Sequence, residues 1–581
     1  MSNLIHNGFR TTTGWEIFKA RYQMFLDETW AQRARAIVKD VCGRRDGKTN
    51  IQSHPLMSKD ELRDLEHFIT KFMFMPGGRY VYYGGRGVSF YNNCLMYKAI
   101  EDTREEWGRL LKAQSDALMS GAGVGCDYSI LRTKGSPLNR TGGVASGPLP
   151  LMHSVNEIGR NVRQGGNRRS AIYASLNWQH GDAKEFLVVK DWKNTTIPGI
   201  PGMTYFDAKQ NNFDFPAPLD GMNISLNYDN EWLKSILTDA KPEDINSGAW
   251  ARAVKKVTLP TTFIKNVEMA MMNGEPGFSF NFWNKVLETL RNACCELCSE
   301  DDSDICNLGS VNLAAIEDKS TLERVVEVGT KFLICGTLRA DVPDEKVLAV
   351  REKNRRLGLG IMGMHEWLLK HGYKYEMNPE LASWLEIYRD ESTRAGNEHA
   401  DRFYLSRPVG FRAIAPTGTI GMLAGTTTGI EPIYAVAYKR RWIDGEARKY
   451  KMVVDQTASD LIKTLGIEDP DSIETALDLA KDPERRIKFQ ADVQQYVDHA
   501  ISSTLNLPAW GTELNNEDRV QDMAKIIAKY APRLRGLTFY PDGARGGQPL
   551  TKVSYSEAIK SGDAIFEENS EAACKSGVCG I

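Results

Sequence analysis

Cysteines are the residues of this sequence whose type and spacing best suit chemistry. Four of the ten cysteines fall close together, and two more lie near the end of the chain, so they are not scattered: the first group is Cys294, Cys295, Cys298 and Cys306, and the second is Cys574 and Cys579. The start of the chain lacks an apolar leader, so we expect thiols, metal ligands or redox catalysts rather than structural disulfides. Cys42, Cys126 and Cys335 stand apart, and we expect them to be buried as small apolar side chains.

The central cluster could hold zinc or carry out redox chemistry. Cys295 and Cys298 make one Cys-x-x-Cys half-site, but the sequence offers no second half at finger spacing and no histidine nearby. Redox work suits the pattern better, because Asn292 and Glu296 place an amide and a carboxylate on either side of Cys294. We therefore expect no metal site in this chain, and we keep a zinc-binding or non-radical thiol–disulfide protein as the alternative.

A second chemical pattern is a turn rich in threonine. Phe411 to Ile420 is predicted to be a short strand that ends in the turn Pro416-Thr417-Gly418-Thr419, and the segment 425–432 repeats the same chemistry. Backbone N–H groups and hydroxyls at the start of a helix bind anions, so this turn suits phosphate. The lysine of a P-loop is missing from it, which argues against a kinase or an ATPase.

Glycine-rich segments could also grip a ligand. Residues 121–126, 141–147 and 163–169 are predicted to be loops that let a ligand approach the main chain. Gly358 to Gly363 matches the three-glycine dinucleotide pattern, but a charged run from Arg351 to Arg356 precedes it where an apolar strand is required. We interpret it as a turn packed on a following helix, and we reject a nicotinamide site.

The elements that must position these residues indicate an α/β protein. Helix-capping patterns begin at Thr13, Ser58 and Thr103, and apolar segments alternate with helices up to about residue 435. Residues 455–535 are predicted to be mostly helical. The formal net charge of the 581 residues is −2, which excludes a generally basic protein that binds nucleic-acid polymers. No apolar run is long enough to span a membrane, so we expect a cytoplasmic protein, in the host cytoplasm if a virus encodes it.

Several motifs, taken in order, resemble those of ribonucleotide reductase catalytic chains. They are Asn93-Cys94, Gly142 to Pro148, Asn292-x-Cys294-x-Glu296, Cys306 to Ser310, Leu357 to Gly363, Pro416 to Thr419, and the pair Cys574 and Cys579. The resemblance implies a ten-stranded α/β barrel of two five-stranded halves, with Cys294 on a finger loop inside it. It divides the chain into a helical segment 1–70, a catalytic barrel 71–552 and a flexible tail 553–581.

The resemblance also implies a role for each motif residue. Cys294 would be the thiyl radical that takes the 3′ hydrogen of the ribose, with Glu296 as general base on the 3′ hydroxyl and Asn292 holding the sugar hydroxyls. Cys94 and Cys306 would supply the reducing equivalents, and the tail pair Cys574 and Cys579 would renew them by thiol exchange. Pro416, Thr417, Gly418 and Thr419 would bind the substrate phosphates. Cys295 and Cys298 are departures from the family pattern.

The source of the radical divides this family. Members that depend on oxygen use a separate metal subunit and a late tyrosine pair, but the segment 536–545 holds the single Tyr540, and Tyr82-Tyr83 lies far too early. A glycyl-radical form would need a C-terminal glycine motif that the ending Cys-Gly-Ile does not supply. The pattern resembles the adenosylcobalamin-dependent, dimeric class that reduces diphosphates. The alternative is a chain without its own cofactor that needs a separate metal radical subunit.

Regulation and partners follow from the same resemblance. The family body begins near residue 70, so we expect no ATP cone and no overall on–off switch by dATP. Deoxynucleotides or ATP would still control specificity through the loops 132–147 and 163–169, with Asp102, Arg132 and Arg168 as candidate effector residues. We expect ribonucleoside diphosphates as substrates, a thioredoxin-like or glutaredoxin-like reductant and a homodimer, with no membrane partner.

Overall fold

The structure is a computed structural model that describes residues 8–43, 55–92, 94–139, 142–162, 170–212, 214–444, 447–544, 550–562 and 564–567. None of the helices in this part of the chain combines the length and the apolar character needed to cross a bilayer.

Strands in the described residues form one large sheet, one small sheet and one hairpin. In chain order they are β1 (Phe74–Pro76), β2 (Cys94–Lys98), β3 (Gly123–Asp127), β4 (Ile172–Asn177), β5 (Met222–Tyr228), β6 (Gly277–Phe280), β7 (Leu290–Arg291), β8 (Cys298–Ser299), β9 (Asp304–Asn312), β10 (Leu357–Met362), β11 (Ala437–Asp444), β12 (Ala447–Val454), β13 (Thr504–Leu507), β14 (Gly536–Pro541), β15 (Leu550–Lys552) and β16 (Ile565–Glu567).

Helices cover the outside of the large sheet and build the N-terminal region. They are α1 (Thr12–Ile17), α2 (Trp30–Val41), α3 (Lys59–Thr70), α4 (Gly78–Tyr83), α5 (Arg104–Met119), α6 (Leu149–Asn161), α7 (Ala183–Val188), α8 (Tyr205–Asn211), α9 (Asn230–Ile236), α10 (Glu243–Asn246), α11 (Ala249–Lys256), α12 (Thr261–Asn273), α13 (Lys319–Arg339), α14 (Glu345–Asn354), α15 (Met364–Lys370), α16 (Pro379–Arg402), α17 (Gly418–Ala424), α18 (Gln456–Leu465), α19 (Ala476–Leu479), α20 (Pro483–Gln494), α21 (Val520–Tyr530) and α22 (Tyr555–Ser561).

The large sheet contains two parallel halves that meet in antiparallel fashion. Strands β2 to β6 run parallel in chain order and form the first half. The second half contains β9, β10, residues 412–414, β13 and β14, and single-residue bridges join Leu359 to Arg412 and Ile414 to Ile501. The halves meet where β2 pairs with β9 and where β6 pairs with β14. This is the predicted α/β arrangement of two five-stranded halves.

Side chains alternate between the two faces of the barrel strands. On β2, Leu95 and Tyr97 pack outward against α5 and its neighbours, whereas Cys94 and Met96 point inward. The inward side chains form a small buried cluster with Leu290 of β7, with Leu297, with residues of β9 and with residues of the segment before α17. The two large apolar cores therefore lie outside the barrel, and the interior is left for the chemical groups.

Two glycine-rich segments predicted to be a loop and a turn are instead buried strands. Residues from Gly123 form β3, and Gly358 to Met362 belong to β10. The glycines provide space rather than loop geometry, because a Cβ on Gly360 would lie 2.7 Å from the carbonyl oxygen of Ala413. A helix does follow β10, as predicted, and begins at Met364 after Gly363, whose φ is 73°.

The small sheet includes part of the predicted flexible tail. It has the order β15-β11-β12-β16. Ser554 caps α22 by accepting a hydrogen bond from Glu557 N at 3.2 Å, and β16 pairs with β12. Residues 555–561 therefore form a helix, because Ser554 caps it. Residues 565–567 form a strand, because the edge of β12 pairs with them. The rest of the predicted tail, with Cys574 and Cys579, lies outside the described residues.

Candidate active site

A short hairpin presents the three central residues of the site. Strands β7 and β8 pair in antiparallel fashion, and the finger loop 292–297 connects them. Inside the loop, the amide N–H of Cys295 donates to the carbonyl oxygen of Asn292 at 2.9 Å. The side-chain oxygen of Asn292 accepts from Leu297 N at 3.0 Å, so this amide braces the loop from within. The geometry fixes Asn292, Cys294 and Glu296 relative to one another.

Both halves of the barrel hold the finger loop in place. A Cβ on Gly125 of β3 would lie 1.8 Å from the carbonyl oxygen of Arg291, so only glycine lets the loop approach this strand. From β5, the side chain of Asn223 donates to Ala293 O at 3.1 Å. From the second half, Ala500 N donates to Glu296 O at 2.8 Å. The loop therefore lies inside the barrel, as the resemblance implied.

A cavity of about 250 Å³ adjoins the tip of the loop. Cys294 and Glu296 line it together with Cys94 of β2 and Ser310 of β9. On the other side it is lined by residues 415–420, which include Pro416, Thr417, Gly418 and Thr419. The structure thus brings the predicted thiols, the carboxylate and the threonine turn to one cavity.

Cys94 and Cys306 face each other across the seam between the halves. They are direct partners in the antiparallel ladder of β2 and β9. Opposed residues in such a ladder have Cα atoms about 4.5–5.5 Å apart, which is within the span of a disulfide. The side-chain nitrogen of Asn292 donates to the sulfur of Cys94 at 3.1 Å, and the thiol of Cys306 donates to Asn307 O at 3.2 Å. This pair can lose two electrons and close a disulfide without a change of fold.

Burial controls the protonation of the site. It raises the pKa of Glu296 to about 7, although Glu296's own backbone N–H and the Asn292 amide favour the charged form. One carboxylate oxygen, Oε2, has no hydrogen-bond partner among the described residues. Burial, with the charge of Glu296 nearby, also raises the pKa of the Cys94 and Cys294 thiols. At neutral pH the site therefore offers protonated thiols and a carboxyl group that exchanges its proton readily.

The adjacent cysteines Cys294 and Cys295 face different cavities. Cys295 has a φ of 66°, which turns its side chain away from the one before it. It lines a small separate cavity with Tyr173 and Arg291, whereas Cys294 lines the larger one. Cys298 is buried in β8, where it pairs with Arg291. Of the two adjacent cysteines, Cys294 is therefore the one that faces the larger cavity.

The threonine turn is built by an unusual backbone conformation. Thr417 has a φ of 52° and is the residue before α17. Its hydroxyl accepts from Gly429 N at 2.8 Å, which ties the turn to the second threonine-rich segment. Pro416 and Gly418 are exposed, and Thr419 is half-buried. This leaves the start of α17 and the Thr419 hydroxyl accessible from the cavity.

A buried carboxylate that the sequence did not point to supports this turn. Glu366 of α15 accepts from the Thr426 hydroxyl at 2.6 Å, and it pairs with Arg10 at 2.9 Å and Lys370 at 2.8 Å. Burial would raise its pKa, but the charges of Arg10 and Lys370 lower it below the ordinary value. The N-terminal segment is thus coupled to the segment that follows α17.

Three further cavity residues escaped the sequence-based set. Ser310 lies at the end of the motif Cys306 to Ser310, but the motif indicated no role for it. Tyr22, from the N-terminal region, also lines the cavity. Arg79 lines it as well and donates to Phe90 O at 2.7 Å and Ser120 O at 3.1 Å. No sequence pattern marked Arg79.

The predicted effector residues lie apart from this cavity. Asp102 and Arg132 form an ion pair at 2.5 Å and are not among the residues that line the cavity. A different cavity of about 340 Å³ is lined by residues close to them in sequence, which are Lys98, Ala99, Ile100, Asp127, Ser129 and Ile130. Arg168 and the loop 163–169 lie outside the described residues.

Comparisons with known proteins agree with this geometry. The chain is 26% identical to a vitamin B12-dependent ribonucleoside-diphosphate reductase of Mycobacterium tuberculosis (strain CDC 1551 / Oshkosh), over 95% of this chain and 82% of that protein. It is 25% identical to a protein of the same name from Thermoplasma acidophilum, over 86% and 68% of the two chains. The fold matches that of the Actinobacillus ureae class Id ribonucleotide reductase alpha subunit with a TM-score of 0.67, at 15% identity, over 92% of this chain and 97% of that one. The family profile described as the barrel domain of ribonucleotide reductase matches residues 92–387 and 407–540, and the chain therefore belongs to the ribonucleotide reductase family.

Proposed function

We propose that this chain reduces ribonucleoside diphosphates to 2′-deoxyribonucleotides through a thiyl radical on Cys294. One observation carries the proposal: a single cavity combines Cys294, Glu296, a thiol from the Cys94–Cys306 pair and the threonine turn. These are the groups needed to remove a hydrogen atom, move a proton, donate two electrons and hold a phosphate. The relatives' printed names, ribonucleoside-diphosphate reductase, support the same substrate class.

The chemistry at the ribose begins at the tip of the finger loop. The Cys294 radical takes the 3′ hydrogen atom, and Glu296 takes the proton of the 3′ hydroxyl. With a pKa of about 7, Glu296 can accept this proton and return it near neutral pH. The 2′ hydroxyl then leaves as water, with a proton from the thiol pair. The side-chain nitrogen of Asn292 donates to the sulfur of Cys94 at 3.1 Å. This contact would fix the position of Cys94 and Asn292 relative to the sugar hydroxyls.

The electrons come from the pair across the seam. Cys94 and Cys306 lose two electrons and close a disulfide, and the carbon at the 2′ position gains a hydrogen in place of the hydroxyl. At the end, Cys294 returns the abstracted hydrogen atom to the 3′ carbon, which regenerates the thiyl radical on Cys294. We infer that Cys574 and Cys579 reduce the new disulfide by thiol exchange, and that a thioredoxin-like or glutaredoxin-like protein reduces them in turn.

The substrate phosphates would bind at the threonine turn. Thr419 and the first N–H groups after Thr417 border the cavity, and a diphosphate placed there would extend its ribose toward Cys294. Arg79 borders the same cavity and lowers the pKa of Cys94 slightly through its charge, against the larger effect of burial. It would add positive charge beside the substrate.

The mouth of the cavity fits adenosylcobalamin, as the names of the relatives suggest. This group is large and partly apolar. Tyr22 lines the cavity, and the residues that soon follow it, Met24, Phe25 and Leu26, are 43%, 54% and 85% exposed. Arg86 fixes the start of this segment by donating to Tyr22 O at 3.1 Å and Gln23 O at 3.2 Å. These residues would hold the group, which when bound supplies the one-electron oxidation that converts a thiol into a thiyl radical.

Specificity control and assembly complete the proposal. Deoxynucleoside triphosphates or ATP would bind beside the ion pair of Asp102 and Arg132, near the cavity lined by Lys98 and Ile130. Arg132 would bind the phosphates of the effector, and Asp102 would bind its ribose or base. We infer a homodimer of this chain in the cytoplasm.

Turnover by the purified chain tests the proposal. The assay contains a ribonucleoside diphosphate, dithiothreitol and a deoxynucleotide effector, with and without adenosylcobalamin, and a parallel series uses triphosphates. We expect deoxyribonucleoside diphosphate only with the cobalamin. A chain that needs a co-expressed metal subunit would overturn the radical source but keep the reaction. A chain inactive under both conditions, which binds stoichiometric zinc and no nucleotide, would overturn the reaction as well.

A further inference from the structure

Three helices bring two remote cysteines together outside the active site. Cys42 ends α2, and Cys335 lies in the last two turns of α13. Both are fully buried, and each thiol is among the neighbouring groups that shift the pKa of the other, so the two side chains lie close together. The proposed reaction uses neither thiol.

A histidine on the third helix completes the group. Nε2 of His399, on α16, lies 3.7 Å from the sulfur of Cys335. Burial raises the pKa of Cys42. Burial alone would also raise the pKa of Cys335, but the hydrogen bonds from Cys42 and His399 lower it below the ordinary value. Cys335 is therefore the thiol that lies beside a base, because the imidazole of His399 contacts its sulfur.

Arg339 holds the two helices in this arrangement. It lies one turn after Cys335 and donates to the carbonyl oxygens of Asp40 at 3.0 Å and Gly43 at 2.7 Å. These oxygens belong to the end of α2, on both sides of Cys42. The charge of Arg339 also favours the thiolate of Cys335. The end of α2 is therefore held against α13 by hydrogen bonds from Arg339 to two backbone carbonyl groups, as well as by side-chain packing.

Cys126 provides an internal contrast. It is as deeply buried as Cys42, but its thiol contacts Asp127 O at 3.8 Å and the side chain of Tyr128. Burial raises its pKa, and no thiol or histidine is among the groups that shift it. This cysteine fits the expectation of a small apolar side chain, whereas Cys42 and Cys335 do not.

We propose that Cys42 and Cys335 are a second oxidisable pair, which hydrogen peroxide converts into a disulfide with His399 as the base. His399 takes the proton of Cys335, and the thiolate attacks one peroxide oxygen. The O–O bond breaks, a sulfenic acid forms on Cys335, and the released oxygen takes the proton and leaves as water. The thiol of Cys42 then attacks this sulfur, an S–S bond forms, and a second water leaves. Two electrons from the thiols reduce one peroxide to two waters.

Access to the buried pair requires only a local opening. Cys42 lies at the C-terminal end of α2, and the last turns of helices open more readily than their interiors. A peroxide is little larger than water. The disulfide would tie α2 to α13 and close a chain loop of almost three hundred residues, so it would raise the unfolding temperature of the oxidised protein.

Peptide mapping of the full-length chain tests the pair directly. The reduced protein is treated with hydrogen peroxide, alkylated under denaturing conditions without reductant, digested and analysed by mass spectrometry. We expect a linked peptide that joins Cys42 to Cys335, and Cys126 alkylated as a free thiol. The link should be absent in Cys42→Ser, and it should form about tenfold more slowly in His399→Gln, in which the base is lost.

The same map contains the results that would overturn the proposal. Recovery of both cysteines as free thiols, at a peroxide concentration that links Cys94 to Cys306, would show that the second pair is inert. An unchanged linking rate in His399→Gln would remove the base from the proposal. The wild-type measurement needs no variant, so misfolding of a variant leaves the test intact. Circular dichroism and the unfolding temperature of each variant confirm that its fold is preserved.

Discussion

Replacement of Glu296 by glutamine tests the electrostatics of the site through stability. The carboxyl group is 1% exposed, and its Oε2 has no hydrogen-bond partner among the described residues. Burial raises its pKa to about 7, against an ordinary value of 4.5. The folded protein therefore binds a proton more tightly at this position than the unfolded chain does. Glutamine has the same shape and carries no charge at any pH.

The sign and size of the effect follow from the two pKa values. Below pH 4.5 the carboxyl group is protonated in both the folded and the unfolded protein. It therefore causes no loss of the free energy of unfolding in this range. Between pH 4.5 and 7 the unfolded chain releases the proton first, so the free energy of unfolding falls as the pH rises. Above pH 7 the loss is complete, at about 3 kcal/mol for a difference of about 2.5 pH units. With an unfolding entropy of about 1.2 kcal/mol per kelvin for a chain of this length, that equals about 3 °C.

Thermal unfolding at pH 5 and pH 9 measures this difference. We expect Glu296→Gln to unfold close to the wild-type temperature at pH 5 and about 3 °C above it at pH 9. Glu101→Gln is the matched control, because Glu101 is exposed and its replacement should change neither value. A temperature difference for Glu296→Gln that is the same at both pH values would refute the claim that burial raises the pKa of this carboxyl group. Turnover of the variant should fall by about 10²-fold or more, since the proposed base is gone.

The remaining predictions concern the loop and its supports. Cys294→Ser should abolish turnover and Cys295→Ser should retain it, as measured by product formation; the opposite result would assign the radical to Cys295. Gly125→Ala should destabilise the chain by about 3 kcal/mol in denaturant unfolding, because its Cβ would lie 1.8 Å from a finger-loop oxygen. Gly108→Ala, in open space on an exposed helix, should instead stabilise by about 0.5–1 kcal/mol. Arg10→Ala should lower the free energy of unfolding by about 2 kcal/mol and raise the KM for nucleotide, because the buried carboxylate of Glu366 loses a partner. An unchanged KM would show that this ion pair does not affect substrate binding at the threonine turn.

Local patterns predicted several helix starts correctly. Ser58 and Thr103 cap α3 and α5 by accepting from Glu61 N and Glu106 N, as their sequences indicated. The start of α1 was predicted at Thr13, but Thr11 caps it by accepting from Gly14 N at 2.8 Å. The reason is tertiary: a Cβ on Gly14 would lie 2.7 Å from Leu423 O, so the helix is placed by its packing against α17. Of three consecutive threonines, only Thr13 has a glutamate three residues later, so the local pattern favoured Thr13 and a distant contact selected Thr11.

The glycine-rich segments show a limit of the same kind. Glycine favours loops in a sequence because its backbone is free, and on this basis residues 121–126 were predicted to be a loop. In β3 the reason for Gly125 is the carbonyl of Arg291, which approaches from a hairpin more than 160 residues further along the chain. Nothing local distinguishes a glycine that bends the chain from one that makes room. The family resemblance placed the finger loop inside the barrel, whereas the residues alone indicated only an α/β protein.

The reducing pair illustrates why the site depends on the whole fold. Cys94 and Cys306 were expected to act together, but their contact arises where two parallel half-sheets meet in antiparallel fashion. Because side chains alternate along a strand, a shift of β9 by one residue would turn Cys306 to the outer face and bring Ile305 or Asn307 opposite Cys94. The register is set by β10 on the other edge of β9 and by the bridge of β1 to the same strand. Disulfide chemistry at this seam is therefore a property of the joined halves, and neither half could provide it alone.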